Sequence, residues 1–278
     1  MQSEAHEYSH IYKSGFLDTI EPGFELVNQT LLKEHSDNNY AQEFGRPVDI
    51  FDTIIISDIH LGSKVSRAEE LLCFLDQMSF KRLIINGDVF DSINMRRLNR
   101  RHWKVLSTLR KITDRENDTE VIWIRGNHDG YSDLLTQLLG IQVYDEYEMF
   151  WNGYNVHVLH GDIFDKFLSK FPLIADIADL FYRFSVLVDP VKMRFSRWLK
   201  RNSKTFLRNN EHVQSRAIAY AQRRKADVII CGHTHQTADN SDHGIRYLNS
   251  GSWTDSPGHF IGFAHDQIKV LSYSQADK

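Results

Sequence analysis

Asp58-Ile59-His60 follows directly on the apolar run Ile54-Ile55-Ile56. In an extended chain, residues one and three point the same way, so this carboxylate and imidazole can converge on one cation. Four more segments repeat the pattern of an apolar stretch closed by ligand types. Leu83-Ile84-Ile85 leads to Gly87-Asp88, and Val121 to Ile124 leads to Gly126-Asn127-His128-Asp129. Tyr154 to Leu159 leads to His160-Gly161-Asp162, and Val228-Ile229-Ile230 leads to Gly232-His233-Thr234-His235. Read alone, each is an ordinary turn, because Gly-Asp and Gly-Asn are turn dipeptides. Five in succession, each after an apolar strand, argue for a metal site. Carboxylate and amide oxygens with imidazoles and no thiolate suit Mn²⁺, Fe or Zn²⁺ rather than a cysteine-built zinc site. Asp58, His60, Asp88, Asn127, His160, His233 and His235 exceed the needs of one ion. Two divalent ions sharing a bridging carboxylate would use them all, leaving His128 over.

The elements that must position these residues are short β-branched runs, read as buried strands. Strand ends on one edge of a sheet are where α/β proteins assemble sites. Ser66-Arg67-Ala68-Glu69 reads as a capping box, followed by Leu71, Leu72, Leu75 and Met78 at helical spacing. A basic, helical segment is expected around Arg96, Arg97, Arg100, Arg101 and Lys104. Its four arginines are candidates to grip substrate phosphates, against the alternative of a solvated helix face. Asn152-Gly153 between two apolar arms predicts a type I′ hairpin.

Residues 163–210 break this rhythm and turn helical. Leu173, Ile177, Leu180, Phe181, Phe184, Leu187 and Val188 share one stripe. Lys192 to Arg208 holds seven basic residues and no acidic one, interleaved with Phe195, Trp198, Leu199, Phe206 and Leu207. That combination suits an anionic membrane surface. A further helix is expected over His212 to Arg224, and closing strands from Ile245 to Tyr273.

With 278 residues, one large domain or one domain with an insertion is expected: an N-terminal extension over 1–49, peripheral or partly disordered, then a main domain over 50–278. A net charge of −4 argues against a general nucleic-acid binder. Two cysteines, Cys73 and Cys231, are too few for a disulfide framework and fit a reducing cytosol. Met1 to His10 lacks the regions of a secretory signal, and no stretch reaches the ~18 uncharged apolar residues of a membrane span. A cytoplasmic location, with peripheral contact at the inner face of the cell membrane, is the expectation.

Asp58-x-His60, Gly87-Asp88-x-x-Asp91, Gly126-Asn127-His128-Asp129, His160 and Gly232-His233-x-His235 together resemble the signature of the calcineurin-like metallophosphoesterases. The resemblance implies a four-layer α/β-β/α sandwich with a di-metal site, Mn²⁺ foremost, and here a helical cap insertion at about 163–210. One ion would be held by Asp58, His60 and His235, the other by Asn127, His160 and His233, with Asp88 bridging. His128 would protonate the leaving oxygen or stabilise the transition state, with Asp129 orienting it. Asp91 would support a metal-bound histidine.

Spacing and insertion are similar to the group around UDP-2,3-diacylglucosamine pyrophosphatase of lipid A synthesis, which implies cleavage of a lipid-linked diphosphate to UMP and a lipid phosphate by metal-activated hydroxide. His128 stands where that enzyme typically carries arginine and matches the broader phosphoesterase pattern. Another lipid phosphate, a nucleotide or a nucleic-acid phosphodiester is the alternative substrate, and a non-catalytic scaffold the alternative of another class.

Overall fold

The computed structural model describes residues 50–114, 119–130, 136–137, 139–165 and 204–274, with the side chains of the helix that opens the last range described from 210 on. All lie in the unit Asn39–Gln275. The expected extension over 1–49 lies outside the described residues, as do the whole apolar stripe and most of the basic run.

The β-branched run around Ile54 forms β1 (Phe51–Ile56), followed by α1 (Ala68–Gln77) and β2 (Phe80–Asn86). A 3₁₀ turn (Met95–Arg97), α2 (Arg100–Ile112), β3 (Glu120–Ile124) and β4 (Gln142–Tyr144) come next. The hairpin of β5 (Glu146–Trp151) and β6 (Tyr154–Leu159) turns on Asn152 and Gly153, both at positive φ as a type I′ turn requires. A second 3₁₀ turn (Asp162–Phe164), α3 (Lys204–Arg224), β7 (Val228–Cys231), β8 (Ala238–Asp242), β9 (Ile245–Asn249), β10 (Gly258–Ala264) and β11 (Gln267–Tyr273) complete the order. Because α3 starts at Lys204, the last residues of the expected insertion belong to a core helix. Residues 166–203 lie outside the described residues.

Two sheets result, ordered β11-β10-β1-β2-β3-β4 and β5-β6-β7-β9-β8. Strand alternation explains why they stack. Ile54 and Ile56 face α1 and α2 among Leu71, Phe74 and Leu106, whereas Ile55 faces the other sheet among Val158, Ile230 and Leu248. In β7, Val228 and Ile230 face inward, while Ile229 and Cys231 meet Val213, Ala217 and Ala221 of α3. Three apolar seams thus join four layers. Strands covered on both faces read as continuous apolar runs, which is why Ile54-Ile55-Ile56 shows no polar alternation. Truncating one such residue, as in Ile55→Ala, costs about 2–5 kcal/mol.

The helix starts divide. The expected capping box at Ser66 is not formed: its hydroxyl donates to the Ile59 carbonyl, and α1 begins behind Arg67 with no side-chain cap. At α2, Asn99 accepts from the His102 N–H while His102 Nδ1 accepts from the Asn99 N–H, closing a true box. The same Nδ1 accepts from the Gly62 N–H at 3.1 Å, tying α2 to the loop after β1.

Candidate metal centre

The ligand-bearing loops leave the C-terminal ends of parallel strands, β1, β2 and β3 in one sheet and β6 and β7 in the other. Asp58 and His60 do not converge from an extended chain, as the sequence suggests. β1 stops at Ile56, and both residues take left-handed backbone conformations, φ 53° and 48°. Asp88, His233 and His235 do the same at 52°, 63° and 58°. Such conformations cost on the order of 1–3 kcal/mol each in non-glycine residues and persist where surrounding structure over-determines them. Hydrogen bonds between loops do so here: Asp58 N–H to the Gly87 carbonyl, His60 N–H to the Asp88 carbonyl and Gly232 N–H to the His160 carbonyl. Two glycines make the approach possible. A Cβ on Gly126 would sit 2.3 Å from Asp88 Oδ1, and one on Gly232 would sit 2.7 Å from Asp58 Oδ2.

The side chains fall into two main groups, Asp58/His60/His235 and Asp88/His160/His233, with His60/Asp88/His128 overlapping both. In the first, His235 Nε2 lies 3.2 Å from both Asp58 Oδ1 and His60 Nε2. In the second, His160 Nε2 lies 3.4 Å from Asp88 Oδ2. That oxygen is also 3.7 Å from His60 Nε2, so Asp88 faces both groups.

The far atoms of three of the four rings are anchored. His160 Nδ1–H donates to the Asn86 carbonyl at 2.8 Å, and His235 Nδ1 lies 3.4 Å from Thr254 Oγ1. His233 is reversed: its Nε2 meets Asp165 Oδ2 at 3.1 Å, leaving Nδ1 as its ligand atom. A carboxylate on the outer nitrogen of a metal-binding histidine fixes the tautomer and raises ligand basicity.

The second oxygens of the carboxylates accept backbone N–H groups, Asp58 Oδ2 from His233 and Asp88 Oδ1 from His128, both at 3.0 Å. Asp58 Oδ1 and His160 Nε2 are buried yet have no hydrogen-bond partner. Burial would raise the Asp58 and Asp88 carboxyls, but the imidazoles beside them hold both below the ordinary range. Burial would lower the His160 imidazole, but Asp88 and Asp58 push it up to about 10, and His60 is raised likewise. Among the described residues no lysine or arginine pairs with Asp58 or Asp88. Unpartnered ligand atoms beside buried carboxylates fit a pair of divalent cations. Bound there, such ions acidify a water and clamp phosphoryl oxygens.

The remaining expected site residues lie at the rim or behind it. Asn127 sits exposed on the turn after β3, and its amide makes no hydrogen bond among the described residues. The half-exposed His128 donates from Nδ1 to the Asp91 carbonyl at 2.9 Å and places Nε2 4.0 Å from Asp88 Oδ2. Asp129 does not orient it. That carboxylate is turned inward, accepting from the Val89 and Phe90 N–H groups on one oxygen and from Trp123 Nε1 and the Gly126 N–H on the other. Burial and nearby Asp88 push Asp129 up to about 6, against those four donors.

Asp91 Oδ1 lies 3.9 Å from His60 Nδ1, and its other oxygen pairs with Arg97 at 2.5 Å. Of the four arginines, Arg97 alone contacts this network. Arg101 pairs with Glu69 of α1, and Arg96 and Arg100 point to solvent without a site partner among the described residues.

Sequence reasoning missed Asp165, within the expected insertion, and Asn249, whose buried amide donates to the Gly232 carbonyl and Thr234 Oγ1 and holds the loop of His233 and His235. Asn249-Ser250-Gly251 at the end of an apolar strand is the one signal that could have flagged the second.

Residues 51–266 match the model of the calcineurin-like phosphoesterase superfamily domain, and the chain belongs to that family. It is 24% identical over 225 residues to the DNA polymerase II small subunit of Thermoplasma acidophilum, covering 71% of this chain and 44% of that protein. The chain thus spans less than half the length of that relative. Similar solved structures include an archaeal phosphodiesterase (11% identity, TM-score 0.43, 80% of this chain and 99% of that one). Another is the phosphoesterase Yfce from E. coli (18% identity, TM-score 0.44, 78% of this chain and 90% of that one).

Proposed function

We propose that this chain hydrolyses a phosphoester or diphosphate bond with two divalent ions, Mn²⁺ foremost and Fe or Zn²⁺ as alternatives. The observation that carries the reading is the pair of adjoining ligand groups, Asp58/His60/His235 and Asp88/His160/His233, whose buried atoms Asp58 Oδ1 and His160 Nε2 close no hydrogen bond and whose carboxylates no lysine or arginine pairs with among the described residues. Asp58, His60 and His235 would hold one ion and His160, His233 and Asn127 the other, with Asp88 available to both groups. His128, anchored through Nδ1, offers Nε2 to the leaving oxygen, as proton donor or as stabiliser of its developing charge. Arg97, close to the rim, exchanges Asp91 for a substrate phosphate.

The substrate we favour is a lipid-linked nucleotide diphosphate of the UDP-2,3-diacylglucosamine type, cleaved to UMP and a lipid phosphate at the cytoplasmic face of the membrane. Motif spacing and the apolar stripe and basic run within 163–210 support it. Mn²⁺-dependent hydrolysis of that compound, with UMP and inorganic phosphate followed separately and an Asp88→Ala chain as blank, is the test. UMP release lost in the variant supports the reading. Turnover of a generic aryl phosphate ester alone discards the named substrate and keeps the chemistry. Inactivity with well under two ions per chain favours a scaffold. The similarity to a DNA polymerase subunit supports a second reading, a nucleic-acid phosphodiester, which predicts DNA binding that falls steeply with salt.

A further inference from the structure

The outward side of α2 stands out on two counts. Between Asp91 and Asp114 the chain carries seven lysines and arginines and no acidic residue, although its net charge is −4. Trp103, in the middle of this stretch, is 53% exposed, whereas Trp123, Trp151 and Trp253 are buried. Val105, Leu106 and Leu109 pack α2 against the core. The opposite stripe is Arg100, Trp103, Lys104 and Ser107, residues that neighbour one another on a helix surface, with Arg96 ahead of it on the 3₁₀ turn. Arg97 and Arg101 are engaged by Asp91 and Glu69, but Arg96, Arg100 and Lys104 have no ion-pair partner among the described residues.

We propose that this stripe is a docking face for an anionic lipid bilayer. An exposed indole flanked by lysine and arginine is the arrangement that settles at the headgroup level. Each unpaired cation near an anionic membrane strengthens binding about fivefold. The seven positive charges of this stretch stand in a chain of net charge −4, so an anionic surface attracts this side of α2 against the charge of the chain as a whole. A track for single-stranded nucleic acid uses several stacking aromatics in a groove. Here the stripe carries one exposed indole and no second aromatic, which favours the bilayer. Arg97, next to Arg96 in the chain, pairs with Asp91, whose carbonyl accepts from His128, so the stripe and the metal centre are close along the chain. The proposal goes beyond the phosphoesterase reading and stands without it, because binding is read without turnover.

The test is co-sedimentation of the full chain with phosphatidylcholine vesicles, with and without phosphatidylglycerol, at low and high salt. The chain binds the phosphatidylglycerol vesicles, releases them at high salt and ignores phosphatidylcholine alone. The triple variant Arg96→Gln/Arg100→Gln/Lys104→Gln, which removes no internal ion pair, weakens binding about 100-fold, three steps of about fivefold. Trp103→Ala, with every charge kept, weakens it as well. Quenching of tryptophan fluorescence by brominated lipid is seen in the wild type and reduced in Trp103→Phe. Wild-type binding by the triple variant would place the contact elsewhere in the chain and overturn the proposal. So would absence of vesicle binding, or binding of a single-stranded oligonucleotide through these residues instead.

Discussion

Two clusters in this molecule combine carboxylates with imidazole, and they are built in opposite ways. Glu146 and Glu148 on β5 face His157 on β6, whose two nitrogens lie 3.0 and 3.1 Å from their oxygens. Arg224 of α3 pairs with both glutamates, and the Tyr220 hydroxyl donates to Glu146. Every ring nitrogen there has a partner, an arginine of the protein pairs with both carboxylates, and the backbone is ordinary strand. Burial would raise Glu146, but Tyr220, His157 and Arg224 hold it below its usual range. The cluster of Asp58 and Asp88 has the same chemical types, no pairing arginine or lysine among the described residues, buried ligand atoms that close no hydrogen bond, and left-handed backbone at five ligands. Residue type alone does not make a metal site. A site needs ligand atoms that converge on one point and whose near partners are imidazoles an ion can displace protons from, not an arginine that keeps its charge at any working pH.

Removing the shared carboxylate breaks this contrast most sharply. Asp88→Ala deprives both groups of a ligand, and divalent-ion-dependent phosphoester hydrolysis falls at least ~10³-fold, since metal-ion charge stabilisation is worth several kcal/mol. Next is Asp165→Asn. The amide still accepts from His233 Nε2 but brings no charge, and divalent-ion affinity measured by calorimetry drops about 10–100-fold. Unchanged affinity would remove Asp165 from the metal centre.

Protonation sharpens the same point. Asp88 and Asp58 push the His160 imidazole up to about 10, so at neutral pH it carries a proton that an entering cation displaces, and the His60 imidazole is raised as well. Metal uptake at pH 7 therefore releases protons, and affinity climbs with pH toward about 10, where His160 titrates unaided. Calorimetry in buffers of different ionisation enthalpy reads the proton count directly; a count of zero would contradict the pairing. The smallest effect belongs to the other cluster. Arg224→Ala leaves the glutamates without their internal cation, and weak additional Zn²⁺ uptake, absent in Arg224→Lys, is the expected outcome of metal titration.

Which parts of this were legible beforehand follows from the range of the forces. Ile54, Ile84 and Ile230 announce buried strands by their own types, and five ligand motifs after such strands define the family signature and the four layers. The left-handed φ at Asp58 and His60 is imposed by carbonyls of the next loop, and nothing in Asp-x-His encodes it. Asp129 looks like a partner for its neighbour His128. Tertiary structure instead brings four N–H donors to its carboxylate, and a buried donor without an acceptor costs about 1–3 kcal/mol. Asp165 meets His233 68 residues away, a pairing that no local spacing reveals. Ser66 fails as a cap for the same reason, its hydroxyl being claimed by Ile59.

The measurement that tests the central claim most directly is hydrolysis of an aryl phosphate ester by chelator-stripped protein to which Mn²⁺ is returned, run beside Asp88→Ala under the same conditions. The account predicts no turnover in the stripped chain, recovery with about two ions bound per chain, and none in the variant. Equal turnover in the variant, or in the stripped chain, would contradict it.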